Sequence, residues 1–572
     1  MKKFSLLFFF LVGIGMCLNA QKKPSNYTPT YKKVVEWYDS VDKKHARAQF
    51  ITIGKTNSGK PLHMFVISSE GLKTPASDSK RITVLINNGI HPGEPDGINA
   101  SMQLCAEILN NEKKYAPWLE KMVICVVPVY NVDGALNRGC CSRANQNGPQ
   151  EYGFRGNARN LDLNRDFIKM DSENAKSFAR MFREWRPHIL IDTHVSNGAD
   201  YQYTFTYILS QKDKLSPVIQ PVYDLFDKEL GIAMKKKGHD IVPYVNTTEN
   251  TPDKGINAFI ESPRFATGYA TLFNCFGITV ETHMLKPFDQ RVKATYDGLV
   301  SMLDISATHA ENIYKTKTEA DIHTSKLNDL ALNYQIDTTR VKKIPFKGFL
   351  YSYPVSTVTG LPILKYDVSK PITWQIPFYE NCTASHHVSK PKYYIIPQAW
   401  GEVIQRLAMN GVEMSALIKD SVINVNASYI DSIVYSKKPY EGHFYHNFIR
   451  LRDEEQQVAF NQGDFIIPMG KVTDRFVMEV LEPISEDSYF RWNFFDEILQ
   501  QKEWFSDYVF EQKAEELLEK DPALKRAFEK RKNTDEDFMQ DSWAQLYYIY
   551  TRSEYYEKSH NRYPVYRIEY KR

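Results

Sequence analysis

RITVLINNGIHPGEPDG, Arg81–Gly97, is the stretch whose reading decides the fold. Its first ten residues form an apolar, β-branched run of the kind that makes a strand. Pro92 and Gly93 then impose a tight turn, Pro95 and Gly97 break the chain again, and helical spacing follows over Gly97–Leu109. A strand, a turn and a helix in that order form the repeating unit of an α/β sheet. The unit recurs along the chain. Met122–Val129 (MVICVVPV) is almost continuously apolar, the pattern of a strand buried on both faces. A helix from Ser172, its capping residue, to Trp185 comes next, then a strand over His188–Thr193. A helix over Pro221–Lys237 and a strand over Gly277–Thr282 complete the series. The expected fold class is α/β: a doubly wound, mixed but mostly parallel sheet with helices on both faces.

The residues able to do chemistry sit at strand ends, the edge at which open α/β sheets bind ligands. His91 and Glu94 follow the first strand, Asn131–Asp133 the second, His194 lies in LIDTHVS and Glu281 in GITVETH. One His, one carboxylate and a distant second His can hold one zinc ion and leave a coordination position open. A His-x-x-Glu pair alone is common by chance; here the turn allows both side chains to point at one centre. His194 alone would read as a core histidine, with Asp192 available as an acceptor for its ring. Glu281 closes an apolar run, where a charge needs a partner or a task. The choice lies between a salt bridge to Lys286 or Arg291 and general base work beside a metal. The segment EYGFRGNARNLDLNRDF, 151–167, offers Arg155, Arg159 and Arg165 for carboxylate binding or oxyanion stabilisation, or else is a solvated loop.

Composition narrows the function classes. The chain has 572 residues, enough for two or more domains, with 42% hydrophobic and 25% charged residues. A net charge of +3 gives no basic field that would argue for nucleic acid or an anionic membrane as the main partner. Residues 1–20 read as a signal peptide: Lys2 and Lys3 precede an apolar run from Phe4 to Leu18, and cleavage is expected after Ala20. Export to the periplasm or medium is the expectation, with lipid anchoring at Cys17 as the lesser alternative; no other segment is long and apolar enough to span a bilayer. Six further cysteines fit no zinc-thiolate spacing, and adjacent Cys140 and Cys141 are not expected to pair with each other. The alternating pattern covers residues 24–320, the catalytic domain. Residues 321–484 hold short aromatic and β-branched runs separated by Pro, Gly and Asn, a β-rich second domain of sandwich type, and 485–572 read as a helical segment.

HPGE at 91–94, PVYNVDG at 128–134, LDLNR at 161–165, DTH at 192–194 and TVETH from Thr279 onward occur in an order and spacing that resembles the zinc metallocarboxypeptidase family, carboxypeptidase A-like. GKTNSGKPLHMFVIS near the start resembles that family's opening strands, so the likeness covers residues 30–310. The resemblance implies His91, Glu94 and His194 as ligands of one zinc ion and Glu281 as general base and acid. It implies Asn164 and Arg165 as the grip on a substrate's terminal carboxylate, Arg155 (or Arg159) as the oxyanion arginine, and Tyr269 as the mobile tyrosine over the substrate. No residue is identified for the floor of the specificity pocket, and the C-terminal extension has no counterpart in the single-domain digestive members. The expected activity is hydrolysis of the last peptide bond of a peptide with a free C-terminal carboxylate. Two alternatives stand beside it: an amidohydrolase acting on cell-wall peptides or acyl-amino acids, and a non-catalytic binding protein.

Overall fold

The computed structural model describes residues 26–75 and 80–570. The expected signal peptide, residues 1–20, and Cys17 lie outside the described residues. The first half is built on an eight-stranded sheet. Its strands are β1 (Ala48–Lys55), β2 (Pro61–Ile67), β3 (Ile82–Asn88), β4 (Met122–Val127), β5 (Ile189–Ser196), β6 (Phe205–Leu209), β7 (Ile241–Pro243) and β10 (Phe276–His283). The intervening β8 (Asn246–Thr247) and β9 (Ile256–Asn257) belong to another sheet. The strand order is β1-β2-β4-β3-β5-β10-β6-β7, and four of the seven adjacencies are parallel.

Alternation along the strands shows burial on both faces. In β3, Ile82, Val84 and Ile86 join one core and Leu85 the other; in β5, Ile189 and Ile191 oppose Leu190 in the same way. Helices Asp96–Asn110, Gln220–Lys236 and Phe288–Thr308 cover the first face, and Glu173–Trp185 covers the second with Phe178, Met181, Phe182 and Trp185. The Ser172 hydroxyl caps that last helix by accepting from the Ala175 N–H at 3.0 Å. Gly97 is where the chain needs no side chain: a Cβ there would collide with Thr193 and Asn88, so glycine lets the helix start directly against the ends of β3 and β5.

The second half is rich in strands, as expected, but they do not stack into a self-contained sandwich. Its strands begin with β11 (Asp329–Ile336), β12 (Lys342–Ser352), β13 (Lys365–Tyr379), β14 (Cys382–Ser389) and β15 (Tyr393–Ile396). Next come β16 (Ser415–Ala416), β17 (Ser421–Tyr435), β18 (His446–Phe460), β19 (Phe465–Pro468) and β20 (Tyr566–Ile568). The long β12/β13 hairpin adds β9 and β8 at its edge, and its core residues Phe346, Ile376 and Phe378 pack on Tyr201, Tyr203 and Val242 of the first half. The six-stranded sheet β16-β19-β15-β20-β17-β18 takes β20 from the chain's end. Two sheets face each other only when both offer an apolar side to the same space. Here each large sheet spends its apolar side on a different neighbour. One core runs from Phe178 and Phe182 through Tyr269 to Tyr394, Phe476 and Trp492, joining the halves. The segment after 485 is mostly helical, as expected, with helices Asp507–Lys520, Pro522–Thr534 and Ser542–Tyr550. No helix among the described residues is long and apolar enough to cross a membrane.

Cys140 and Cys141 do form a disulfide with each other, against expectation. A left-handed turn residue, Cys141 at φ +79°, brings the neighbouring side chains to the same side of the chain. Cys105, Cys125, Cys275 and Cys382 are free and buried.

Candidate functional site

The parallel register of β5 and β10 sets His194 beside Glu281 and Asp192 beside Thr279. The turn after β3 delivers His91 and Glu94 to the same edge. All three candidate ligands are buried, at 4%, 3% and 4% exposure for His91, Glu94 and His194. Their nearest donor atoms converge: His91 Nδ1 and His194 Nδ1 lie 3.3 and 3.1 Å from Glu94 Oε2 and 3.2 Å from each other. The far nitrogens are both occupied. His91 Nε2 is 2.9 Å from Asp162 Oδ1, and His194 Nε2 is 2.7 Å from Asp192 Oδ2. A carboxylate at each Nε2 favours a proton there and turns both Nδ1 atoms, with a Glu94 oxygen, toward one point. Two imidazole nitrogens and a carboxylate oxygen so gathered fit a metal ion of the zinc type, which would displace the proton that Asp192 and Glu94 favour on His194.

Cationic groups hold the acidic members at this end. Arg143 Nη1 donates to Glu94 Oε1 at 2.7 Å, and Arg155 Nη1 lies 3.5 Å from the same oxygen. Arg155 also pairs with Asp162 at 2.8 Å. Burial pushes the Glu94 carboxyl up, but Arg143 and His91 outweigh it and hold it well below the usual range. Burial likewise disfavours a charged His194, yet Asp192 and Glu94 raise its pKa well above that of a free imidazole.

The donors open into a cavity of about 450 Å³. Asn164, Arg165, Arg143, Arg155, Tyr244, Phe259, Glu261, Phe265 and Glu281 line it. Asn164 Oδ1 accepts from the Ala266 N–H at 3.1 Å, and the Arg165 guanidinium stacks 4.3 Å from the centre of the Phe265 ring. Glu281 has a buried Oε2 with no hydrogen-bond partner, and burial first, then Glu94 and Asp192, pushes its carboxyl up to about 8. The salt bridge to Lys286 or Arg291 is not made: Lys286 pairs with Asp200 and Arg291 with Asp96.

Residues 34–188 match the zinc carboxypeptidase family model. Over those residues the chain resembles zinc carboxypeptidases. Carboxypeptidase 2 of Trichophyton rubrum is 24% identical over 460 residues, 76% of this chain and 78% of its own length. Carboxypeptidase 2 of Trichophyton equinum is 24% identical over 463 residues, again 76% and 78%. Among solved structures, a metallo-carboxypeptidase from Burkholderia cenocepacia is 15% identical at TM-score 0.37, over 49% of this chain and 69% of that one. Carboxypeptidase A from Helicoverpa armigera is 15% identical at TM-score 0.38, over 50% and 77%.

Two expectations for the site fail. Tyr269 is 1% exposed, donates its hydroxyl to Asn410 Oδ1 at 2.5 Å and packs against Phe182 and Phe273. Its short helix, Ala266–Thr271, turns that face to the core, away from the cavity. Arg159 is spent on the Asp171 carbonyl at 3.1 Å and does not line the cavity. Four lining or supporting residues escaped the sequence reading: Arg143, Tyr244, Glu261 and Asp162. Only Asp162 carried a signal, as the acidic residue of LDLNR. Its backbone N–H donates to Glu441 Oε2 at 2.8 Å, so the second half of the chain touches the support of His91 directly.

Proposed function

We propose that this protein removes the last residue of peptides with a free C-terminal carboxylate, using one zinc ion held by His91, Glu94 and His194. The observation that carries the reading is the convergence of two Nδ1 atoms and one Glu94 oxygen, with both Nε2 atoms tied to carboxylates. When bound, zinc supplies Lewis-acid polarisation of water and of the scissile carbonyl.

The chain's own residues supply the rest. Glu281, unpaired and raised toward neutrality by burial, accepts the proton of the attacking water and returns it to the leaving amine. Arg143 and Arg155 stand at the cavity wall, where guanidinium groups can receive the charge developing on the carbonyl oxygen. Arg165, held flat by Phe265, and Asn164 present fixed donors to the terminal carboxylate. The protein is tested against peptides with free and amidated C-termini, with and without a chelator. Chelator-sensitive release of the final residue from free termini alone is expected. Equal activity on amidated ends would remove the role given to Arg165.

A further inference from the structure

Glu261 is a carboxylate buried to 8% exposure in the wall of the same cavity, and neither its position nor its partners are explained by the chemistry above. The Thr279 hydroxyl donates to its Oε1 at 3.1 Å and the Thr267 hydroxyl to its Oε2, so the group is oriented by neutral donors. Among the described residues it takes part in no ion pair. Lys214 reaches it only at its backbone carbonyl, at 2.5 Å, leaving the carboxylate unserved. Thr279 lies two residues before Glu281 on the same face of β10, so its hydroxyl holds Glu261 on the Glu281 side of the cavity. Phe259 and Phe265 line the same cavity, and Phe265 carries the Arg165 guanidinium. The cavity therefore has a guanidinium at Arg165 and a carboxyl without a cationic partner at Glu261.

A buried carboxylate without a cation is costly, and burial pushes the Glu261 carboxyl up to about 7. An incoming ammonium or guanidinium group would restore its charge and gain a desolvated pair. We infer that Glu261 is the specificity-determining residue of this site and selects a C-terminal residue with a cationic side chain, lysine or arginine. The inference rests on the carboxypeptidase reading, since it takes the residue held by Arg165 to be the one that reaches Glu261. An acidic side chain meets repulsion at Glu261, and an apolar one leaves the carboxyl unpaired.

The test uses the zinc-loaded full chain on matched peptides ending in Arg, Lys, Leu or Glu. Calorimetric binding of Nα-acetyl-arginine and Nα-acetyl-leucine is measured alongside, as a readout independent of turnover. The expected result is a kcat/KM at least about tenfold higher for Arg and Lys ends than for Leu, a ratio that falls to about one in Glu261→Gln. Acetyl-arginine should bind more tightly than acetyl-leucine, and the difference should vanish in the same variant. Glu261→Asp, which keeps the charge on a shorter stem, should retain the basic preference. Cleavage of all free ends without basic preference overturns the inference and leaves the carboxypeptidase reading standing. A uniform drop on every substrate in Glu261→Gln also overturns it, by assigning Glu261 a structural role. Absence of cleavage with the arginine preference in binding intact sinks the carboxypeptidase reading and keeps the cationic subsite.

Discussion

The two ends of one cavity treat their carboxylates differently. At the His91 end, Glu94, Asp162 and Asp192 each face a basic partner: Arg143, Arg155 and His194. At the β10 end, Glu261 and Glu281 make no ion pair among the described residues, and burial lifts them to about 7 and about 8. Both ends are buried to a similar degree, so desolvation alone does not separate them. The difference is the supply of cations. A paired buried carboxylate is fixed in place and can orient something else; an unpaired one keeps a proton within reach and can exchange it or bind a charge. The first end is suited to positioning and the second to reactivity.

Replacing a donor at the paired end should have the largest effect. His194→Ala is expected to take bound zinc from one ion per chain to none, read by metal analysis, with hydrolysis falling below detection. Retained zinc would dissolve the paired end as a metal site. Glu281→Gln at the unpaired end should keep zinc while kcat falls at least about a hundredfold, the low end for loss of a general base. A loss of metal in this variant would erase the division between the two ends. Asp162→Asn sits between these cases. It leaves all three donors but weakens the hold on His91, and zinc affinity in a chelator competition should drop about 10- to 100-fold. No change there would mean that His91 is oriented by its turn alone.

Two pH effects are smaller and opposite in sign. His194 must be neutral to donate from Nδ1, and Asp192 raises its pKa in the metal-free protein, so zinc displaces a proton. Apparent zinc affinity should therefore fall as pH is lowered, by about tenfold per unit for each proton displaced. A flat profile between pH 6 and 8, read as an approximate window, would show that His194 is already neutral. Glu281 has a folded pKa above its unfolded value of about 4.3. Its contribution to metal-free stability is complete below that unfolded value and is lost as pH rises through about 8. Denaturation of metal-free Glu281→Gln should accordingly lose less stability across that interval than the parent does.

Much of the site was legible because its signals are local. His91 and Glu94 share one turn, and His194 and Glu281 are polar residues that end apolar strands, where a core reading fails. Arg143, Tyr244 and Glu261 were not legible, since each comes from a loop whose course depends on distant packing. Tyr269 was misplaced because closeness to Glu281 in the chain does not reveal which side of a short helix meets the cavity. The strands of the second half were readable one by one from their residues. Their partners were not: β13 pairs with β9, more than a hundred residues earlier, and β20 returns from the far end. The Cys140–Cys141 bond turned on a single left-handed residue that composition does not announce.

By itself the sequence determined the α/β sheet, the edge where chemistry gathers and the three donors of the candidate metal site. Strand and turn periodicity act within a few residues, and a polar group at the end of a buried strand has few explanations. Only the tertiary structure decided which carboxylates would be neutralised and which would stay without a cation. That choice depends on through-space distances of a few ångströms between segments far apart in the chain. The arginines of the 143–165 region reached Glu94 and Asp162, and none reached Glu261 or Glu281 closely enough to pair.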